Sequence, residues 1–146
     1  MSFVYALSGL CKAIKSEFNL RFHIVIANLI CIFAYFYGIE KRDWAILILT
    51  IFAVIAAELI NTAIEKAVDT ATKEILPSAK LAKDASAAGV LVLAIASLLV
   101  GFCLFGDVNW IYDALYRIFT DMKILIPCLL VGVLDMVFLF YFKEKR

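Results

Sequence analysis

The sequence predicts an all-α integral membrane helical bundle, and three observations carry that prediction. Hydrophobic residues make up 65% of the 146-residue chain and charged residues 18%, with a mean hydropathy of +0.98, well outside the range of soluble domains. Four stretches approach the roughly 20 mainly apolar residues that a helix needs to cross about 30 Å of hydrocarbon. No strand alternation or run of Gly/Pro turns points to a barrel. Fourteen basic against 13 acidic residues leave no Lys/Arg excess for tracking phosphates, so no nucleic acid partner is expected. The 12 Phe, 6 Tyr and 2 Trp are the opposite of a disordered composition.

In chain order, Phe3, Leu7, Leu10, Ile14 and Phe18 recur at helical spacing while Lys12, Lys15 and Glu17 fall elsewhere, which predicts an amphipathic helix in the headgroup plane. Its apolar residues are spaced rather than contiguous and no small-residue cleavage site follows, so a cleaved signal peptide is not expected. The first span runs from about Phe22 to Ile39, interrupted by His23 and Asn28. The second starts near Trp44 and is apolar, apart from Thr50, up to Ala57; the third, from about Ala85 to Phe105, holds no charge. Its opening run, Ala85-Ser86-Ala87-Ala88-Gly89, has the small residues that let helices approach closely.

A second amphipathic segment, Trp110 to Met122, carries an apolar stripe of Trp110, Ile111, Ala114, Leu115, Ile118 and Phe119. Trp110, Tyr112 and Tyr116 suit the membrane interface. The fourth span, Ile124 to Phe142, contains Pro127, a residue able to kink it, and Asp135 near its middle. Asp135 is assigned to helix packing, with Asn28 or a tyrosine as partner, because it lies near the bilayer midplane.

Lysine and arginine set the topology. Lys12, Lys15 and Arg21, then Lys66, Lys73, Lys80 and Lys83, then Lys143, Lys145 and Arg146 place ten on one side. Lys41, Arg42, Arg117 and Lys123 place four on the other. The positive-inside rule then puts both termini and the 66–83 segment in the cytoplasm. Cys11, Cys31, Cys103 and Cys128 are scattered singly beside a lone histidine, which supports neither a zinc site nor a disulfide framework.

The informative feature is an acidic face on the second span. At about 100° per residue, Glu58, Asn61, Glu65 and Asp69 fall within a sector of roughly 80°, with Leu59, Ile60, Ala63, Ile64 and Ala67 on the other side. Like charges on one stripe do nothing for the helix, and a carboxylate at the lip of the hydrocarbon costs on the order of 2–3 kcal/mol before compensation. A solvated face with Lys66 as counterion is the bland reading. A proton or cation path, a divalent-metal site and general-base catalysis on a lipid headgroup are the functional ones. Lys83-Asp84 at the start of the third span, and Glu17, Arg21 and His23 at the start of the first, bring acid, amide and cation to the same depth. Hard carboxylate oxygens beside a lysine suit Mg²⁺ and polyphosphate; a pore has no need of that lysine, and a non-enzymatic scaffold would use the Ala/Gly-rich third span as its interaction face.

Glu58-Leu-Ile-Asn61-Thr-Ala-Ile-Glu65-x-x-Val-Asp69, followed by Ala82-Lys83-Asp84 and preceded by Glu17-x-x-x-Arg21, resembles the signature of the small prokaryotic diacylglycerol kinase family, whose Gram-positive-type members phosphorylate undecaprenol. The resemblance covers about residues 3–105, and the sequence lacks the P-loop and protein-kinase motifs, as this family does. It implies a three-span kinase core with an N-terminal amphipathic helix over residues 1–106, to which residues 107–146 add an interfacial helix and a fourth transmembrane helix. It implies transfer of the γ-phosphoryl group of ATP to the primary hydroxyl of a membrane lipid, with Mg²⁺ as cofactor, at the cytoplasmic side of the bacterial inner membrane.

By the same resemblance Glu58 is the general base, and Glu17 and Glu65 hold Mg²⁺ on the ATP phosphates. Lys83 contacts the γ-phosphate, while Asp84, Glu74 and Tyr5 are further nucleotide contacts. Asn61 orients Glu58 or the phosphoryl group; Asp69 and Arg21 support the site. A homotrimer with composite sites is the implied assembly. Three departures stand out. Glu74-Ile75-Leu76-Pro77 replaces the common Glu-Tyr-His-Pro; the chain starts close to Tyr5, so contacts from longer N-termini are expected to be missing; and residues 107–146 exceed what the core requires.

Overall fold

The computed structural model describes residues 2–74 and 76–141. Ile75, Phe142, Lys143, Lys145 and Arg146, which entered the expectations above, lie outside the described residues. The described chain is all-helical, in the order α1 (Ser2–Ser16), α2 (Phe18–Tyr37), α3 (Lys41–Ala71), α4 (Pro77–Leu104), α5 (Val108–Thr120) and α6 (Met122–Tyr141). Helices α2, α3, α4 and α6 are long and apolar enough to cross a membrane. At 1.5 Å per residue, α3 is about 46 Å long, longer than the roughly 30 Å of hydrocarbon, so its last turns, with Asp69, have the length to extend past it. The fold is that of a multi-pass membrane protein.

Local chemistry explains the helix ends. Glu17 is extended (φ −104°, ψ 116°), so the N-terminal amphipathic helix stops at Ser16 and Phe18 opens α2 instead of closing α1, one turn before the expected Phe22. Gly38 ends α2 in the left-handed region (φ 81°), its N–H donating to the Ala34 carbonyl at 3.0 Å, a glycine C-cap that turns the chain back into α3. A Cβ there would meet Trp110 Cζ3 at an ordinary 3.8 Å, so the position demands glycine for its φ and not for space. Gly38→Ala is therefore expected to cost about 1 kcal/mol, read as a lower midpoint in detergent-induced unfolding.

Pro77 occupies the first turn of α4, where its missing N–H is harmless. Asp107 Oδ1 accepts from Asn109 N at 2.9 Å and caps α5. Asp121 Oδ1 accepts from Lys123 N at 2.9 Å where α6 begins. These two caps place α5 over Val108–Thr120, a little earlier than the expected Trp110–Met122. Helix α6 runs unbroken through Pro127.

Helices α3 and α4 form the most extensive pair; α2 packs on α3, α5 and α6, and α1 touches α2 and α3. The half-buried seam of α4 is Ala82, Ser86, Val90, Leu93, Ser97 and Val100, at the three- and four-residue spacing of a helix-packing stripe. The small-residue run is a correction: only Ser86 joins the seam, while Ala85, Ala87, Ala88 and Gly89 are exposed. Few side chains are buried, Leu20 and Ala34 completely. Long apolar rows of α4 and α6 remain exposed, as they are when lipid is the solvent.

Helices α2 and α4 both lean on α3, and their backbones do not approach each other within 8 Å. They meet at one end through Phe105, just past α4, whose ring lies 5.2 Å from those of both Phe33 and Tyr37. Between them runs a cavity of about 630 Å³ lined by α2, α3 and α4.

Candidate active site

The acidic face of α3 is graded from buried to exposed. Glu58 is 3% exposed and Asn61 7%; Glu65 is half-buried and Asp69 exposed. The gradient follows from packing, because α2 covers the Glu58 end while the last turns of α3 rise past it. Around Glu58 the polar neighbours are His23 and Asn19 of α2, with Glu65 and Glu17 also within electrostatic reach. Three carboxylates from two segments, two amides and an imidazole therefore line the last turns of α3 and the start of α2.

Asn61 is held at both ends of its amide. Its Nδ2 donates to Glu65 Oε1 at 3.0 Å, and its Oδ1 accepts from Ser86 Oγ of α4 at 2.6 Å. Asn61 is expected to orient Glu58 or the phosphoryl group; in this structure the carboxylate its amide holds is that of Glu65. The reason is geometric, since the i+4 neighbour lies one turn along the same face and Ser86 fixes which way the amide points.

Glu17, at the α1–α2 junction, accepts from Ser16 Oγ at 3.0 Å and pairs with Lys66 Nζ at 3.3 Å. Lys66 directly follows Glu65, so this pair brings Glu17 to the level of Glu65. Lys83 Nζ of α4 donates to Asp69 Oδ1 at 2.8 Å, at the exposed end of the stripe. Among the described residues no group of three or more His, Cys, Asp or Glu side chains gathers as a metal site. The donor set still fits Mg²⁺, which keeps its waters and binds through one or two carboxylates plus substrate phosphates instead of a full protein cage.

Three residues expected at the nucleotide stand outside this cluster within one chain. Tyr5 is 72% exposed on α1, Glu74 is exposed in the α3–α4 turn and Asp84 is exposed on α4. Arg21, expected to support the site, does so through no carboxylate: it is 3% exposed, and its guanidinium donates to the carbonyls of Ile14 (2.8 Å), Lys15 (2.9 Å) and Leu139 (3.2 Å). The residues that sequence reasoning did not assign are Asn19 and Ser86; Lys66, read there as a counterion of the α3 face, pairs with Glu17. Asn19 shares a face with His23 four residues on, and Ser86 is the one hydroxyl in the small-residue run, so both had a signal.

The cavity completes the site. His23 is its single ionisable lining residue; Ile30, Phe33, Val54, Leu98 and Phe105 give the rest its apolar character. Leu29, Leu98 and Phe102 on its rim are 42%, 74% and 79% exposed, so it opens sideways, toward the lipid.

A membrane helical bundle in which one buried carboxylate, Glu58, stands beside a histidine that lines an apolar cavity has the setting for chemistry on a lipid. The model of the prokaryotic diacylglycerol kinase family matches residues 4–105. The chain is 38% identical over 104 residues to the undecaprenol kinase of Bacillus subtilis, covering 71% of this chain and 85% of that protein. It is 38% identical over 105 residues to a diacylglycerol kinase of Synechocystis, covering 71% of this chain and 60% of that protein. It is 38% identical over 88 residues to a diacylglycerol kinase of Helicobacter pylori, covering 60% and 69%. No solved structure gives a significant match. The chain belongs to the prokaryotic diacylglycerol kinase family and is a lipid kinase.

Proposed function

We propose that this lipid kinase transfers the γ-phosphoryl group of Mg²⁺-ATP to the primary hydroxyl of diacylglycerol or undecaprenol at the cytoplasmic face of the bacterial inner membrane. The observation that carries this reading is the place of Glu58, buried beside His23, which itself lines the apolar cavity. A lipid chain lying in the cavity would bring its hydroxyl to that carboxylate. Glu58 takes the hydroxyl proton as the oxygen bonds to the γ-phosphorus, and the bond from that phosphorus to the ADP oxygen breaks. Most of the rate enhancement comes from positioning and charge neutralisation.

In this reading Glu17 and Glu65 hold Mg²⁺, which when bound screens the phosphate charge, and the Asn61–Ser86 pair keeps Glu65 in place. Lys83 exchanges Asp69 for a γ-phosphate oxygen. Residues 1–106 act as the kinase core and 107–146 as an addition to it. Tyr5, Glu74 and Asp84, which the single chain leaves outside the cluster, reach the nucleotide from a second copy within a homotrimer. The alternative of an ion or proton channel lined by Glu58, Glu65 and Asp69 finds no support, because Asp69 is engaged by Lys83 and Glu58 is covered by α2.

The test is a phosphoryl-transfer assay with radiolabelled ATP in mixed micelles containing either diacylglycerol or undecaprenol, with Mg²⁺ titrated. Labelled lipid that requires Mg²⁺ is the expected result, and the faster lipid names the acceptor. Labelling of neither would overturn the reading, and ion flux into liposomes without nucleotide would favour the channel.

A further inference from the structure

We propose that the fourth span is a positioning element of the active site, acting through Arg21 on Glu17. Helix α6 lies beyond the 4–105 family match, yet it is fastened to α2 by two polar contacts. Asn28 Nδ2 donates to both carboxylate oxygens of Asp135, at 2.9 and 3.1 Å. Two turns nearer the start of α2, Arg21 Nε donates to the carbonyl of Leu139 at 3.2 Å. The order is that of antiparallel helices: the contacts descend α2 from residue 28 to 21 as they climb α6 from 135 to 139. Phe140 adds an apolar contact, its ring 6.2 Å from that of Phe18, over which the Arg21 guanidinium also lies at 5.9 Å.

The same guanidinium holds Ile14 and Lys15, carbonyls of the last turn of α1 that the helix itself leaves unpaired. Glu17 sits inside the loop so closed, between the two carbonyls and the arginine that binds them. It begins the turn whose carbonyl accepts from Arg21 N at 3.4 Å. The backbone at Glu17 thus has its direction set by a side chain whose remaining anchor is α6. If α6 shifts, the buried guanidinium loses an acceptor and must re-aim, and α1 and the Glu17 carboxylate move with it. Misplacement of a ligand by about 1 Å is enough to be felt strongly in catalysis.

The inference rests on the reading of Glu17 as a Mg²⁺-nucleotide ligand, so the experiment needs one readout that involves activity and one that does not. In the full-length protein in mixed micelles, Asp135→Leu strands Asn28 in the membrane and is expected to raise KM for Mg²⁺-ATP about five- to tenfold, with the KM for lipid changing less than about twofold. Asp135→Asn keeps a hydrogen bond to Asn28, and the double variant Asn28→Leu/Asp135→Leu replaces the polar pair with an apolar contact. Both are expected to stay within about twofold of wild type. Arg21→Lys retains the charge but cannot reach all three carbonyls, and is expected to raise the same KM; it keeps the test alive if Asp135→Leu does not fold.

Spin labels at Gly9 on α1 and Ala87 on α4, in a chain with its native cysteines replaced by alanine, report the placement of α1 without nucleotide. Their distance is expected to shift in Asp135→Leu and to return in the double variant. An unchanged KM for Mg²⁺-ATP together with an unchanged distance overturns the proposal, as does a double variant as impaired as the single. A wild-type protein that labels neither lipid but shows the distance shift overturns the kinase role of Glu17 and leaves the coupling of α6 to α1 standing.

Discussion

Glu58→Gln is expected to lower kcat for lipid phosphorylation by about 10²–10⁴-fold, the usual contribution of a positioned general base, with the KM for Mg²⁺-ATP little changed. Glutamine matches glutamate in size and keeps a polar head beside Asn19 and His23, so the helix packing around this 3%-exposed residue is preserved and the loss is chemical. The split between kcat and KM is the diagnostic quantity, because an interaction made only in the transition state lowers kcat and kcat/KM together. Retention of the full rate by Glu58→Gln would remove Glu58 as the base and shift attention to His23, the ionisable side chain that lines the cavity itself.

The second large effect falls on the metal. Glu65→Gln is expected to shift the Mg²⁺ concentration for half-maximal activity upward by at least about tenfold, since the proposed site would rely on the two carboxylates of Glu17 and Glu65. Asn61→Leu should shift it in the same direction by less, because Glu65 keeps its charge and loses only the hydrogen bond that aims it. Lys66→Gln serves as the contrast. It removes the ion pair to Glu17, but that lysine side chain is 66% exposed, and an exposed pair is worth about 0–1 kcal/mol. A Mg²⁺ titration of the three variants checks the order; equal shifts in all three would overturn Glu65 as a defined ligand, because the three changes alter the local charge by different amounts and signs.

Much of this was legible along the chain. The spans could be read because hydropathy accumulates over consecutive residues, and the acidic stripe because a straight helix converts spacing into angle. What spacing could not convey is which side chain a polar group would choose. Asn61 had Glu58 three residues before it and Glu65 four after it on the same stripe; the choice was made by Ser86 of another helix, which occupies the amide oxygen. Arg21 lies close in sequence to Glu17 and reads as part of the site, yet its acceptors are backbone carbonyls, which carry no sequence signature at all. The break at Glu17 was hidden for a related reason: the apolar repeat continues from Ile14 to Phe18 across a residue whose backbone leaves the helix.

The sequence by itself determined the class of protein, its four spans, the acidic face and the family. These depend on composition, period and short motifs, all properties of neighbouring residues. Only the tertiary structure decided that Asp135 pairs with Asn28 and not with a tyrosine, that Arg21 belongs to a junction of three helices, and that an apolar cavity reaches His23, the neighbour of Glu58. The first two join residues 107 and 118 positions apart, and the cavity is bounded by three helices at once. Such contacts are set by the register and tilt with which whole helices pack, and no window along the chain contains that information.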